Sequence, residues 1–148
     1  MEFLNTDHLE DGEIRLVLEK TKQADPERKR VPAYCFTICD SMGNEIGYCD
    51  LKIGYTRELY YSGHIGYEVG EEYRGHHYAA KACRLLFDLA RRHGMEYLYI
   101  TCAPDNLSSK KTCEYLGGDL LEIAEVPEDH DLRAEKGHTH ECVYRFVL

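Results

Sequence analysis

The sequence has no tryptophan, only four prolines and no two cysteines in a C-x-x-C spacing. Its seven cysteines are an odd number at scattered positions, which is typical of reduced thiols and not of a disulfide framework. The longest hydrophobic run, near residues 97–103, is too short to cross a bilayer. The first residues also lack the basic and apolar regions of a secretory signal. Together these absences predict a cytoplasmic protein.

Positive charge is also scarce, because 18 Lys and Arg residues stand against 27 Asp and Glu residues, giving a net charge of −9. This imbalance argues against nucleic acid or an anionic membrane as a partner and favours a cationic one. Residues 119–141 alone contain eight acidic side chains and two basic ones. The length of 148 residues, with 43% hydrophobic and 30% charged residues, predicts one globular domain over residues 1–148.

Hydrophobic residues alternate in the first half of the chain, which predicts strands, and then adopt helical spacing. The predicted strands of an antiparallel meander cover residues 13–20, 32–39, 46–53 and 64–69. Apolar side chains at helical spacing over 77–93, ended by Gly94, predict a helix. The remaining predicted elements of this mixed α/β (α+β) fold are a strand over 95–102, a short helix over 107–116, and strands over 120–126 and 142–148.

The most informative segment is a strand that leads through a tight loop into a helix, over residues 65–79. Such a junction leaves backbone N–H groups unpaired at the positive end of the helix, where they bind phosphate. Arg74 adds a cation, and Gly75 lets a diphosphate approach the backbone. The glycines here do not have the G-x-G-x-x-G spacing, and no Walker A motif is present. An ordinary strand-to-helix turn is the alternative interpretation.

Three stretches of the sequence carry a resemblance to a known family. They are residues 69–79, the Asn-Leu-Ser-Ser run at 106–109 and the Cys-Glu-Tyr-Leu-Gly-Gly run at 113–118. In this order they resemble the GNAT N-acetyltransferase superfamily, nearest its ribosomal-protein N-terminal acetyltransferase branch. The resemblance implies a mostly antiparallel sheet with flanking helices, in which strands 64–69 and 95–102 splay apart to hold acetyl-CoA. It also implies an enzyme that moves the acetyl group to an amine by direct attack in a ternary complex.

The resemblance assigns the acetyl-CoA contacts to the strand, the loop and the second helix. The pantetheine arm would pair with the backbone of Tyr67 to Val69, and one of these N–H groups would donate to the thioester carbonyl. The family's pyrophosphate motif falls on Arg74, His77 and Ala79, with His77 where the family prefers glycine. Asn106 would hold the pantetheine. The implied cofactor-binding residues are Tyr67, Val69, Arg74, Gly75, His76, His77, Tyr78, Ala79, Asn106 and Ser109.

Catalysis by this route needs an acid for the departing thiolate and a base for the amine. Many GNAT enzymes have a tyrosine seven residues after the asparagine, where this sequence has Cys113. Ser109 shares a helix face with Cys113 and is the better candidate for the acid, whereas Cys113 is predicted to pack. Glu68 and His64 point to one face of their strand and are the candidate bases. For both, a solvated edge or a hydrogen bond within the sheet is the alternative.

Two other functions compete with an enzyme. A zinc module would use some of the seven cysteines and eight histidines, but no four of them are spaced to hold one ion, so we expect no metal. A non-catalytic acyl-CoA sensor or interaction module on the same fold is favoured by His77 and by the missing tyrosine. The short segment 21–30 stands where the family has two helices. It implies an acceptor side open to a polypeptide end or a large amine, or one completed by a second subunit in a homodimer.

Overall fold

The strands and helices of the computed structural model, which describes all of residues 1–148, follow the predicted order with two additional short helices. The strands are β1 (Ile14–Lys22), β2 (Ala33–Asp40), β3 (Glu45–Lys52), β4 (Ile65–Val69), β5 (Tyr97–Cys102), β6 (Asp119–Glu125) and β7 (His140–Val147). The helices are α1 (Arg57–Ser62), α2 (Tyr78–Arg92), α3 (Leu107–Tyr115) and α4 (Asp131–Lys136).

The strands form two sheets that meet side by side. The first has the order β1-β2-β3-β4 with every pair antiparallel, which confirms the predicted meander. The second has the order β5-β7-β6 and is also antiparallel. Helix α2 connects β4 to β5 as a crossover, so these two strands run in the same direction. The predicted mixed, mostly antiparallel α/β fold with flanking helices is confirmed.

The hydrophobic core lies between the sheets and α2, in one cluster of 26 buried residues. Helix α2 contributes the fully buried Ala82, Leu86 and Leu89, and β2 contributes Phe36 and Ile38. Because side chains alternate along a strand, the opposite face of the first sheet is left free of this core. No helix is both long and apolar enough to cross a bilayer.

Strands β4 and β5 separate because a side chain interrupts their pairing. A single backbone hydrogen bond joins them, from the N–H of His64 to the carbonyl of Tyr99 at 2.8 Å. The N–H of Tyr99 then donates to Nδ1 of the His64 ring at 3.0 Å. A Cβ at Gly63 would lie 3.1 Å from the backbone nitrogen of Thr101, so only glycine permits this close approach. Beyond this contact the strands diverge and leave a cleft between them.

The two short helices α1 and α4 lie between predicted strands, in segments for which the sequence predicted no helix. Helix α1 is capped by Thr56, whose side chain accepts from the N–H of Leu59. Helix α4 is capped by the imidazole of His130, which accepts from the N–H of Leu132. Each helix has only six residues, too few for a hydrophobic period to be recognised. His130 Nε2 also donates to the carbonyl of Glu58 at 3.0 Å, which joins the N-terminus of α4 to α1.

Candidate active site

The loop before α2 presents a run of free backbone donors. None of the backbone N–H groups of residues 75–80 donates to another backbone carbonyl, and the first bond of the helix is Lys81 N–H to His77 O at 2.9 Å. The N-cap residue His77 provides no side-chain cap either. Gly75 and His77 have φ values of 92° and 60°, which turn successive amides toward one point. This arrangement is suited to bind a phosphate group at the positive end of α2.

His77 adopts the left-handed conformation that explains the family's preference for glycine at this position. Its ring stacks on Tyr115 at the end of α3, with centroids 3.9 Å apart and an angle of 9° between planes. The guanidinium of Arg84 lies 5.2 Å from the same tyrosine ring. The stack holds the imidazole against α3 and away from the free amides. A histidine at this position therefore leaves the anion-binding loop open.

The cations around the loop are not equally available. Arg74 is exposed, and its Nε donates to the carbonyl of Val69 at 3.3 Å, so it lies at the mouth of the cleft. Lys81 instead forms an ion pair with Glu13 and hydrogen bonds to the carbonyl of His76. Arg74 and Arg84 are therefore the positive charges best placed for an anionic ligand.

The backbone of β4 turns its free groups into the cleft. Gly70 N–H donates to Ile46 O at 2.8 Å, and Glu68 and Gly66 lie opposite Tyr48 and Asp50 in the ladder, so the N–H groups of residues 66, 68 and 70 face β3. Hydrogen-bonded pairs alternate along an antiparallel ladder. The N–H groups of Tyr67 and Val69 consequently point away from β3 and toward β5. This is the geometry that the resemblance implies for pairing with a pantetheine arm.

Helix α3 begins at the cleft with Asn106 as its N-cap. The Oδ1 atom of Asn106 accepts from the N–H of Ser109 at 3.1 Å, which leaves the amide NH₂ of Asn106 free to donate. Ser109 is half-buried, and its backbone N–H, not its hydroxyl, makes the capping bond. Cys113, one turn further, is fully buried, and burial raises the pKa of its thiol well above the usual range. The prediction that Cys113 packs is confirmed.

His64 does not have the environment of a general base. The side chain is completely buried, with 0% of its surface exposed. Its Nδ1 accepts from Tyr99 N–H at 3.0 Å and its Nε2 donates to the Gly54 carbonyl at 2.8 Å, so neither ring nitrogen is free. Burial also lowers the pKa of the imidazole. The structure corrects our expectation, because His64 links β4 to β5 and does not face a substrate.

Glu68 lies on the exposed face of β4, opposite the core. Its Oε2 accepts a hydrogen bond of 2.6 Å from the hydroxyl of Tyr48 on β3. This bond and burial raise the pKa of Tyr48, which keeps that hydroxyl protonated as a donor. Glu68 is thus a fixed, exposed carboxylate beside the cleft, whereas His64, the other candidate base, is buried.

A cavity of about 670 Å³ opens on the same face and was not predicted from the sequence. Asp50 on β3 lies at its floor, where Oδ1 accepts from Gly66 N–H and from Lys52 Nζ, each at 3.1 Å. One wall consists of residues 22–31, which line it with four cations and two anions. The opposite wall is formed at α4 by Asp129, Asp131, Glu135 and Lys136. The two walls therefore have opposite net charge.

Comparison with solved structures gives the same fold in several acetyltransferases. RimL, a ribosomal-protein alpha-N-acetyltransferase solved with coenzyme A, shares 20% identity over 82% of this chain and 64% of its own, with a TM-score of 0.60. The microcin self-immunity acetyltransferase MccE, solved with acetyl-CoA and AMP, shares 20% identity over 84% of this chain and 64% of its own, with a TM-score of 0.60.

A third similar structure is a proposed ribosomal-protein-serine acetyltransferase from Vibrio cholerae, which shares 19% identity over 78% of this chain and 64% of its own, with a TM-score of 0.59. This chain thus spans about 64% of the length of each of these proteins. A search of curated proteins found no significant match. The sequence profile of the acetyltransferase (GNAT) domain family matches residues 1–119. With most of its length matched, the chain belongs to the GNAT acetyltransferase family.

Proposed function

We propose that this protein transfers the acetyl group of acetyl-CoA to an amine acceptor, by direct attack of the amine in a ternary complex. The observation that carries this proposal is the cleft between β4 and β5. It presents the free N–H groups of Tyr67 and Val69 and leads to the unpaired amides of residues 75–80. A thioester and a diphosphate need these two kinds of donors, in this order along one extended molecule. We also propose that residues 1–148 form one acetyltransferase domain.

The free hydrogen-bond donors of the cleft and the loop determine where we place acetyl-CoA. Its diphosphate lies against the amides of residues 75–80 and the guanidinium of Arg74. Its pantetheine arm runs along β4, with the free NH₂ of Asn106 on the other side. The N–H of Tyr67 or Val69 donates to the thioester carbonyl oxygen and stabilises the negative charge that develops there during attack. RimL and MccE, which share this fold, were solved with coenzyme A and acetyl-CoA, and this supports the placement.

The acceptor approaches from the opposite face, where Glu68 and the charged cavity lie. Glu68 takes a proton from the ammonium group, directly or through a water molecule, and frees the nitrogen lone pair for attack. The acidic wall at α4 attracts the cationic amine, whether of a small molecule, a polypeptide N-terminus or a lysine. The basic wall at residues 22–31 favours acceptors that also carry an anionic group. An acceptor with both charges on one molecule fits the two walls together.

The second candidate is a non-catalytic acyl-CoA sensor or interaction module. It is favoured by one observation, namely that α3 has the buried Cys113 and no tyrosine facing the cleft. Such a protein would bind CoA by the same loop but would not release thiol in the presence of an amine. Thiol release with a panel of amines, measured beside calorimetric binding of CoA, separates the two functions. The panel includes amines with and without a carboxylate, peptides with a free N-terminus, and aminoglycosides.

The cofactor site is tested most sharply by Ala79→Asp in the first turn of α2. A carboxylate at a helix N-terminus stabilises the helix but repels a phosphate at the same amides. We therefore expect unchanged or higher thermal stability together with a loss of CoA binding by at least about 100-fold, an effect of charge at close range. Ala134→Asp on exposed α4 is the matched control and should bind CoA as the wild type does. Normal CoA binding by Ala79→Asp would overturn the proposed site.

Location, metal requirement and assembly are part of the same proposal. We infer that the protein acts in the cytoplasm, because all seven cysteines are free thiols and a reducing compartment preserves them. We also infer that turnover needs no metal, so a chelator should leave the rate unchanged. A homodimer would cover the acceptor side where residues 22–31 form only a short wall. Sedimentation over a range of protein concentrations tests this assembly.

A further inference from the structure

The hydroxyl of Tyr67 is the only buried side-chain polar atom in the chain that has no hydrogen-bond partner. Tyr67 lies on β4 at the edge of the cleft, and its side chain packs against the hydrophobic core. Leaving a buried donor unpaired costs folding free energy, so nearly all buried hydroxyls in proteins have a partner. An exception at the centre of a proposed catalytic cleft needs an explanation beyond packing.

The surroundings of this hydroxyl are other hydroxyl and thiol groups. Burial raises the pKa of Tyr67 far above its usual range, and the hydroxyls of Ser109 and Thr112 on α3 lie near enough to lower it, although neither completes a hydrogen bond with Tyr67 by distance and angle. The thiols of Cys83 and Cys113 raise this pKa further. The ring therefore reaches from β4 to α3 beneath the cleft. Its hydroxyl is protonated at neutral pH, and so it is a donor.

Two nearby oxygens are able to accept from Tyr67. The Thr112 hydroxyl donates to the carbonyl of Ser108 at 3.1 Å, which fixes the rotamer of Thr112 along its own helix but leaves its oxygen able to accept. Ser109 is half-buried and lies nearer the N-terminal end of α3, at the cleft. A serine hydroxyl changes position by rotation of one bond, whereas the packed ring of Tyr67 holds its own hydroxyl in place. Ser109 is thus the partner that turns to meet a fixed donor.

We propose that Tyr67 is a positioning residue for Ser109: when acetyl-CoA is bound, the Tyr67 hydroxyl donates to Ser109 Oγ and thereby aims the Ser109 hydroxyl at the sulfur. This inference rests on the proposed acetyl transfer. It gives the unpaired hydroxyl a partner in the working complex and supplies, from β4, the tyrosine that α3 lacks at position 113. In the free protein, where the Tyr67 hydroxyl has no partner, the unpaired donor lowers the free energy of unfolding.

The chemical step balances without a further reactant. The amine nitrogen attacks the thioester carbon, a C–N bond forms, and the C–S bond breaks with its electron pair remaining on sulfur. Ser109 O–H donates a hydrogen bond to the developing thiolate, and Tyr67 O–H, bonded to Ser109 Oγ, strengthens that donation. The proton lost by the amine passes to Glu68 or water, and the released thiolate takes a proton from solvent. Tyr67 keeps its own proton throughout.

The test is a double-mutant cycle of Tyr67→Phe and Ser109→Ala, measured as kcat and as KM for acetyl-CoA. We expect Tyr67→Phe to lower kcat about 3- to 10-fold, the effect of one ordinary hydrogen bond, with little change in KM. The double variant should be no slower than Ser109→Ala alone, because Tyr67 acts through Ser109. Thr112→Val is the matched control and should retain the wild-type rate. Additive losses, or a wild-type rate for Tyr67→Phe, would overturn the inference.

Two further measurements separate positioning from a structural role. Tyr67→Phe should not lower the free energy of unfolding, since the lost hydroxyl has no partner; Tyr34→Phe should lower it, since that hydroxyl bonds to His93 Nε2 at 2.6 Å and to Leu4 N–H at 2.8 Å. The pKa of the bound CoA thiol, followed by thiolate absorbance, should rise in Tyr67→Phe. If the wild type neither binds CoA nor releases thiol, the proposed function itself fails; wild-type turnover with unaffected variants refutes only the role of Tyr67.

Discussion

The Nδ1 atom of His64 accepts a hydrogen bond of 3.0 Å from the backbone N–H of Tyr99. In an ordinary sheet that N–H would pair with a backbone carbonyl of the neighbouring strand. Here an imidazole nitrogen takes the place of the carbonyl, so the backbone pairing of the two strands ends at the direct bond from His64 N–H to Tyr99 O. The cleft in which we place acetyl-CoA therefore begins at one buried histidine.

Replacing His64 should destabilise the protein more than replacing any exposed histidine. His64→Ala leaves Tyr99 N–H and the Gly54 carbonyl unpaired and opens a cavity, which we expect to cost about 2–4 kcal/mol. His8→Ala, on the exposed N-terminal segment, should change stability by less than about 0.5 kcal/mol. Urea unfolding of both variants measures the difference. Equal stability of His64→Ala and the wild type would show that the strand junction does not depend on the ring.

Stability should fall as the pH is lowered through the range in which free histidine titrates. Burial lowers the pKa of His64 and of His93 from the ordinary value of 6.5, so the unfolded chain takes up protons before the folded one. The stabilising effect is full above pH 6.5 and is lost below it, toward the folded pKa. Glu141, whose pKa is raised by burial, has the opposite effect, because its contribution to stability decreases as the pH rises. The comparison with His64→Gln isolates the contribution of His64, because in this variant the free energy of unfolding should decrease less steeply as the pH is lowered below 6.5.

Glu68→Gln should retain the fold and lose most of the turnover. The amide oxygen still accepts from Tyr48, but it does not take a proton from the amine, so we expect kcat/KM to fall about 100-fold or more. Glu71→Gln, an exposed carboxylate nearby, is the control and should keep the wild-type rate. A Glu68→Gln enzyme with the wild-type kcat/KM would assign the base elsewhere.

Introducing the tyrosine common in the family at position 113 should harm this protein. Cys113 has no exposed surface and lies close to Tyr67, so Cys113→Tyr overpacks the space between β4 and α3 and should cost about 1–3 kcal/mol. Glu114→Tyr, exposed on the same helix, should be within about 0.5 kcal/mol of the wild type. Adding Tyr67→Ala to Cys113→Tyr should recover part of the loss in thermal unfolding. No recovery would mean that the two side chains do not compete for one space.

The strands and the long helix could be predicted because, in each, hydrophobic residues recur within the segment at the spacing of a strand or of a helix. Helix α2, for example, has its apolar side chains at helical spacing and ends at Gly94, where φ is 81°. Helices α1 and α4 could not be predicted, because each has six residues and depends on a cap and on packing against distant segments. In α1, residues such as Tyr60 and Tyr61 are also typical of a strand.

The candidate site, like the fold, has some parts that could be predicted from the sequence and others that could not. The phosphate loop at Arg74 to Ala79 depends on residues that are adjacent in sequence, and the structure gives that loop its free amides. His64 was predicted to face a substrate, since its strand parity matches that of Glu68. His64 is buried because β4 meets β5. A contact between two distant segments cannot be recognised from a local sequence pattern. The unpaired hydroxyl of Tyr67 and the cavity above Asp50 likewise arise only when distant segments come together.

The stack of His77 on Tyr115 has a mechanical consequence. His77 precedes α2 at the phosphate loop, and Tyr115 ends α3, the helix that carries Asn106 and Ser109. The stacked rings thus connect the two segments that would contact opposite ends of the same cofactor. A shift of the loop on binding of the proposed diphosphate would therefore be transmitted through this stack to α3, and so to Ser109 near the proposed position of the sulfur.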